Sequence, residues 1–176
     1  MAVKRRVRRG YLLAWLALIV AIVVPTLVRV SRGGTGPSVA VVSVDGATRT
    51  VSLDQMKQLS TLSRYCVYQN QYGNWRDEGV YTGVLLTDLI GETDDYEAVR
   101  IVASDGYEGT VARARLEDSD YPMVLAYAFD GVEVPGWADG FRIAVLPEDG
   151  DVSNEEYGVE SAGSYWVKNV ERIVLQ

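Results

Sequence analysis

Three Asp-Gly dipeptides, Asp45-Gly46, Asp105-Gly106 and Asp130-Gly131, each follow a short apolar run. Asp and Gly tolerate the positive φ angles of tight hairpin turns, so each pair predicts a chain reversal between antiparallel strands. Val39–Val44 and Thr48–Leu53 flank the first turn. Val99–Ala103 enters the second, and Val124–Phe129 enters the third, which returns as Val132–Val134. Phe141–Leu146, closed by Pro147, and Tyr165–Leu175 add two more predicted strands. Helical signals are short. Ser52-Leu53-Asp54-Gln55 has the capping-box pattern and predicts a helix through Leu59. Leu85–Ile90 predicts another, stopped by Gly91. No internal repeat or heptad is visible. The pattern is that of an α+β domain dominated by mixed or antiparallel sheet.

The N-terminal segment differs in chemistry from the rest. Residues 1–32 hold Lys4, Arg5, Arg6, Arg8, Arg9, Arg29 and Arg32 and no acid. Tyr11 to Val28 is an uncharged run of 18 residues, YLLAWLALIVAIVVPTLV. At ~1.5 Å per residue it spans roughly 27 Å, enough to cross a hydrocarbon core. The organisation read from this is a cytoplasmic basic N-terminus at 1–10 and a transmembrane anchor at 11–30. A linker at 31–38 and a domain at 39–176 follow. The basic cluster places the N-terminus inside and the domain outside a cytoplasmic membrane, in a single pass. A cleaved signal peptide fits less well, because PTLVRVSRGG offers no A-x-A-like site. Arg8-Arg9 loosely resembles a twin-arginine signal but is read as part of the positive-inside cluster.

Charge and missing residue types narrow the function. All 24 acids lie beyond residue 32, against 10 Lys and Arg, a formal charge of −14. A domain so charged repels polyanions, which excludes nucleic-acid binding. One Cys excludes an internal disulfide. The chain has no His, which rules out Ser-His-Asp triads and His-ligated zinc or copper.

Several motifs occur in order along the domain. Cys66 precedes a polar-aromatic stretch containing Asn70, Tyr72, Asn74 and Trp75. Tyr81-Thr82-Gly83-Val84-Leu85 then opens a helix pattern. Further on come Ser104-Asp105-Gly106-Tyr107, then Leu125-Ala126-Tyr127 with Asp130-Gly131-Val132-Glu133-Val134-Pro135. Gly140 to Pro147 and Trp166-Val167-Lys168-Asn169-Val170 complete the series. Together they resemble the oxidoreductase molybdopterin-binding domain family, of sulfite-oxidase-like fold, over about Val39 to Leu175. The resemblance implies a molybdopterin cofactor with molybdenum ligated by a Cys, here Cys66. It also implies a pocket built from Cys66, Asn70, Tyr107, Arg142 and Lys168. The family's pocket uses His, and this chain has none.

The residues leave two readings of Cys66 open: a molybdenum thiolate, suited as a soft ligand, or a small buried apolar side chain. Arg64, Arg76, Arg142 and Lys168 are the cations available for a phosphate, Lys168 being the best aligned. Asp149, Asp151, Ser153, Glu155 and Glu160 have the spacing of an EF-hand-like calcium loop. Without flanking helices, Asp149–Glu160 reads as a solvated acidic loop. Two functions follow as expectations. One is a molybdopterin-dependent oxidoreductase with a redox partner. The other is a cofactor-free module using the same cleft for a small polar ligand or partner.

Overall fold

The computed structural model describes residues 36–92 and 96–176. Among these, eleven strands form two sheets joined by short helical turns. Strand β1 (Ser38–Val42) reverses at Asp45-Gly46 into β2 (Thr48–Ser52). Gly46 has φ +83°, and the Asp45 carboxylate accepts from the Ala47 N–H at 3.0 Å. The capping box forms. Ser52 N–H donates to Gln55 Oε1 at 2.9 Å, and Gln55 N–H donates to Ser52 Oγ at 3.3 Å. Helix α1 (Leu53–Met56) ends before the predicted Leu59, because Gln58 and Leu59 donate three residues back rather than four. Its single turn buries Leu53 and Met56.

A long hairpin follows, β3 (Thr61–Gln69) and β4 (Trp75–Leu85). The charged start of β4, Trp75 to Glu78, carries no strand periodicity in its sequence. It pairs with β3 but extends past the part of β4 that pairs with the next strand. Helix α2 (Leu86–Ile90) then stops at Gly91, φ +82°. β5 (Ala98–Ala103) turns at Asp105-Gly106 into β6 (Glu108–Ala112) and α3 (Arg113–Leu116). β7 (Met123–Phe129) turns at Asp130-Gly131 into β8 (Val132–Glu133). β9 (Arg142–Val145) and β10 (Asp151–Val152) precede a 3-10 turn at Ala162–Tyr165. The last strand, β11 (Val170–Leu175), starts five residues later than predicted. The 3-10 turn and the left-handed Asn169, φ +52°, interrupt the extended backbone before it.

One sheet runs β2-β1-β11-β5-β6, with β1 parallel to β11 and its other pairs antiparallel. The other runs β10-β3-β4-β7-β8, with β9 also paired to β7 and β10 parallel to β3. The domain is thus mixed and sheet-dominated, as the turn pattern implies. Buried residues from both sheets, among them Val41, Tyr81, Leu125, Ile143 and Ile173, and Met56 of α1 form one apolar cluster. Each such side chain contributes about 1.5–3 kcal/mol on leaving water. At Gly83 the backbones of β4 and β7 come so close that a Cβ would lie 2.4 Å from Leu125 O.

The predicted membrane segment, 11–30, lies outside the described residues. Among the described residues no helix is long and apolar enough to cross a membrane.

Candidate functional site

The hairpin loop after β3 is held by one side chain. Asn70 Oδ1 accepts from the N–H groups of Tyr72 at 2.9 Å and Asn74 at 3.1 Å, and Gly73 takes φ +74°. The acidic loop of Asp149–Glu160 is tied to this hairpin through Asn154. Its N–H donates to Gln69 Oε1 at 2.9 Å, its Nδ2 to Asn70 O at 2.8 Å, and its Oδ1 accepts from Ala162 N–H at 2.8 Å. No group of three or more His, Cys, Asp or Glu placed to hold a metal is found among the described residues. The contacts of Asn154 give this loop a structural role, positioning the 3-10 turn.

That turn packs on Tyr68. A Cβ at Gly163 would lie 2.9 Å from the Tyr68 ring, and Tyr68 stacks on Trp166 at 4.5 Å between ring centroids. Between the hairpin loop, the Asp105-Gly106 turn and the 3-10 turn opens a cleft of about 620 Å³. Asn70, Tyr107 and Lys168 line it, together with Asp105, Ser164 and Trp166. Three of the residues predicted for a pocket therefore meet here, from separate stretches of chain.

Arg142 lies at the start of β9, with 1% of its surface exposed. Its Nη1 is 2.8 Å from Asp139 Oδ2, and its Nη2 is 2.6 Å from Asp77 Oδ2 and 3.1 Å from Tyr68 Oη. The rings of Tyr68, Tyr81 and Trp166 surround the guanidinium at 5.4–5.7 Å. Burial works against its charge, but the Tyr81 oxygen, the Asp77 hydrogen bond and Tyr68 outweigh it and raise its pKa. Lys168 closes the group, with Nζ 3.0 Å from Asp139 and 3.5 Å from Asp77. Burial alone would raise the Asp77 pKa. The Arg142 hydrogen bond and charge, then Tyr68 and Lys168, reverse that and hold the carboxylate below its usual range.

Two backbone distortions build this quartet. The β3–β4 register slips between Cys66/Gly79 and Tyr68/Arg76, leaving an extra residue on β4, and Asp77 there has φ +50°. Such a bulge re-aims a side chain, here toward Arg142. Asn169 at φ +52° donates its N–H to Asp139 O at 2.8 Å and accepts from Ser104 N–H at 2.9 Å. This ties the segments bearing Asp139, Lys168 and Asp105 together. Asp77 and Asp139 were not singled out from sequence. The signal for them would have been a pair of acids needed to balance a buried Arg, which no spacing announces.

Cys66 is not part of the cleft. It is fully buried, and its thiol donates to Val145 O at 3.2 Å on the β9 side of the sheet. Burial foremost pushes the thiol up to about 12. The structure places Cys66 in the core, apart from Asn70, Tyr107 and Lys168, with which it was expected to form a pocket. Sealed against Val145 O, the thiol does not reach the cleft. The cations expected to hold an anionic cofactor, Arg142 and Lys168, are already bound to Asp77 and Asp139. The residues present do not fit a thiolate-held, phosphate-bearing cofactor.

No family model matches this chain, and no curated protein matches it. Among solved structures, the sulfane dehydrogenase SoxCD from Paracoccus pantotrophus is similar in fold, at 11% identity and a TM-score of 0.58. The similarity covers 79% of this chain and 38% of that one. The chain thus spans well under half of that protein's length. The likeness is one of fold, and it supports a sulfite-oxidase-like architecture for the sheet-dominated domain.

Proposed function

We propose that this chain is a membrane-anchored, outward-facing binding module on a sulfite-oxidase-like fold, whose cleft takes a small polar ligand without a thiolate-held metal. One observation carries the reading. Asn70, Tyr107 and Lys168 line an open cleft, while the single thiol, Cys66, is sealed in the core against Val145 O. A cleft with a few convergent polar groups and an aromatic wall is suited to binding. The anchor rests on sequence: a basic cluster followed by 18 uncharged residues. A reporter fused after Gln176 is expected to be active only outside the cytoplasm, and cytoplasmic activity would reverse the topology.

Metal analysis of the full chain, produced in a molybdopterin-competent host, tests the module reading. The expected result is molybdenum far below one atom per chain, unchanged in Cys66→Ser. Stoichiometric molybdenum that disappears in Cys66→Ser would instead establish the oxidoreductase reading.

A further inference from the structure

The charges at the cleft decide which ligand it favours. Lys168 is the cation on its wall, yet Nζ sits 3.0 Å from Asp139 and 3.5 Å from Asp77. Arg142 lies behind, buried and bound to the same two carboxylates. The quartet sums to zero, and Asp105 adds a negative charge at the rim. An anion entering here would have to pull Lys168 from two carboxylates inside a domain of formal charge −14.

The remaining wall holds no cation and is hydrogen-bonding. Asn70 uses its Oδ1 within the loop and, among the described residues, its Nδ2 has no hydrogen-bond partner. Ser164 and Gln71 stand nearby on the same wall. Asp105 spends Oδ1 on the Tyr107 N–H at 2.9 Å, leaving Oδ2 to accept. The Tyr107 ring is half exposed beside these groups. An exposed ring next to amide, hydroxyl and carboxylate groups matches a ligand with a C–H face and a rim of hydroxyls.

We propose that the cleft binds an uncharged, polyhydroxylated ligand, a saccharide unit, with Tyr107 as its stacking platform and Asn70 and Asp105 as its polar contacts. This rests on the binding-module reading and names its ligand class. A cation would also meet Asp105, but a cation site gains strength from several aromatic faces, and here Tyr107 is the exposed one on the wall.

The test uses the full chain in a detergent without a sugar headgroup. Cellobiose, maltose and diacetylchitobiose are titrated against intrinsic fluorescence and saturation-transfer NMR, beside inorganic phosphate and tetramethylammonium chloride. At least one saccharide is expected to bind saturably, with Kd on the order of 1 mM. Tyr107→Ala should weaken it by about tenfold, and Asn70→Ala should also weaken it. Arg172→Met, exposed on β11 and outside the cleft lining, should change it by less than about twofold. Tyr107 is exposed, so its variant is expected to melt with the parent. Saturable binding of phosphate or tetramethylammonium overturns the proposal, as does no saccharide binding by ~10 mM. Equal loss in Arg172→Met and Tyr107→Ala also overturns it. Molybdenum content is measured separately, so loss of this proposal leaves the metal-free reading standing.

Discussion

Replacing Arg142 by Met would test whether the ion quartet around this buried guanidinium holds the two sides of the cleft together. Met keeps most of the stem's volume and removes the charge. The substitution abolishes contacts of 2.6 Å to Asp77 and 2.8 Å to Asp139. Each charge-assisted hydrogen bond is worth about 1.5–3 kcal/mol. Part of that returns, because the Asp77 and Asp139 side chains are 34% and 25% exposed and Lys168 still reaches both. The net loss at pH 7 is about 3 kcal/mol, in the range for stripping one partner from a buried ion pair. For a domain of this size that is roughly 10 °C in Tm. Urea and thermal unfolding followed by circular dichroism would measure it. The pH dependence has a definite sign. The Asp77 pKa is lowered in the folded protein, so its contribution is present above the unfolded value of about 3.9 and is lost as pH falls through the folded pKa. The gap between parent and Arg142→Met should therefore narrow below about pH 4. Adding Asp77→Asn and Asp139→Asn should recover most of the loss at neutral pH. A single variant within about 1 kcal/mol of the parent at pH 7, or a gap independent of pH, would refute the reasoning.

Three other outcomes are expected. Gly83→Ala forces a Cβ to within 2.4 Å of Leu125 O, a backbone atom that cannot rotate away. It should cost about 3 kcal/mol or prevent folding, read by the yield and melting of the purified chain. The Cys66 thiol, buried and pushed up to about 12, should resist a thiol-specific disulfide reagent at pH 8 and react once urea unfolds the domain. Rapid labelling of the native chain would contradict the sealed position. Raising NaCl from about 0.1 M to about 1 M shortens the screening length from ~10 Å to ~3 Å and relieves self-repulsion among the acids. Tm should rise over that range, whereas a fall would mean that attractive ion pairs dominate the surface.

The sequence determined the parts of this protein that local chemistry controls. Asp-Gly at 45–46, 105–106 and 130–131 reverses the chain because those residues tolerate the backbone angles of a turn. Ser52 and Gln55 cap a helix because their side chains reach each other's N–H groups across three residues. The missing His rules out His-based chemistry within this chain without reference to any fold. Tertiary structure decided the rest. Whether Cys66 faced a ligand or the core depended on its strand phase and on β9 packing against it, which one cysteine in an alternating run cannot reveal. Lys168 lines the cleft, but its charge is held by Asp139 and Asp77, residues 29 and 91 positions away in the chain. The position of Asp77 depends on a one-residue bulge in β4, and that of Asp139 on a backbone tie to Asn169. Such pairings are set by sheet register and loop packing, which act across the whole domain and leave no period or spacing in the sequence.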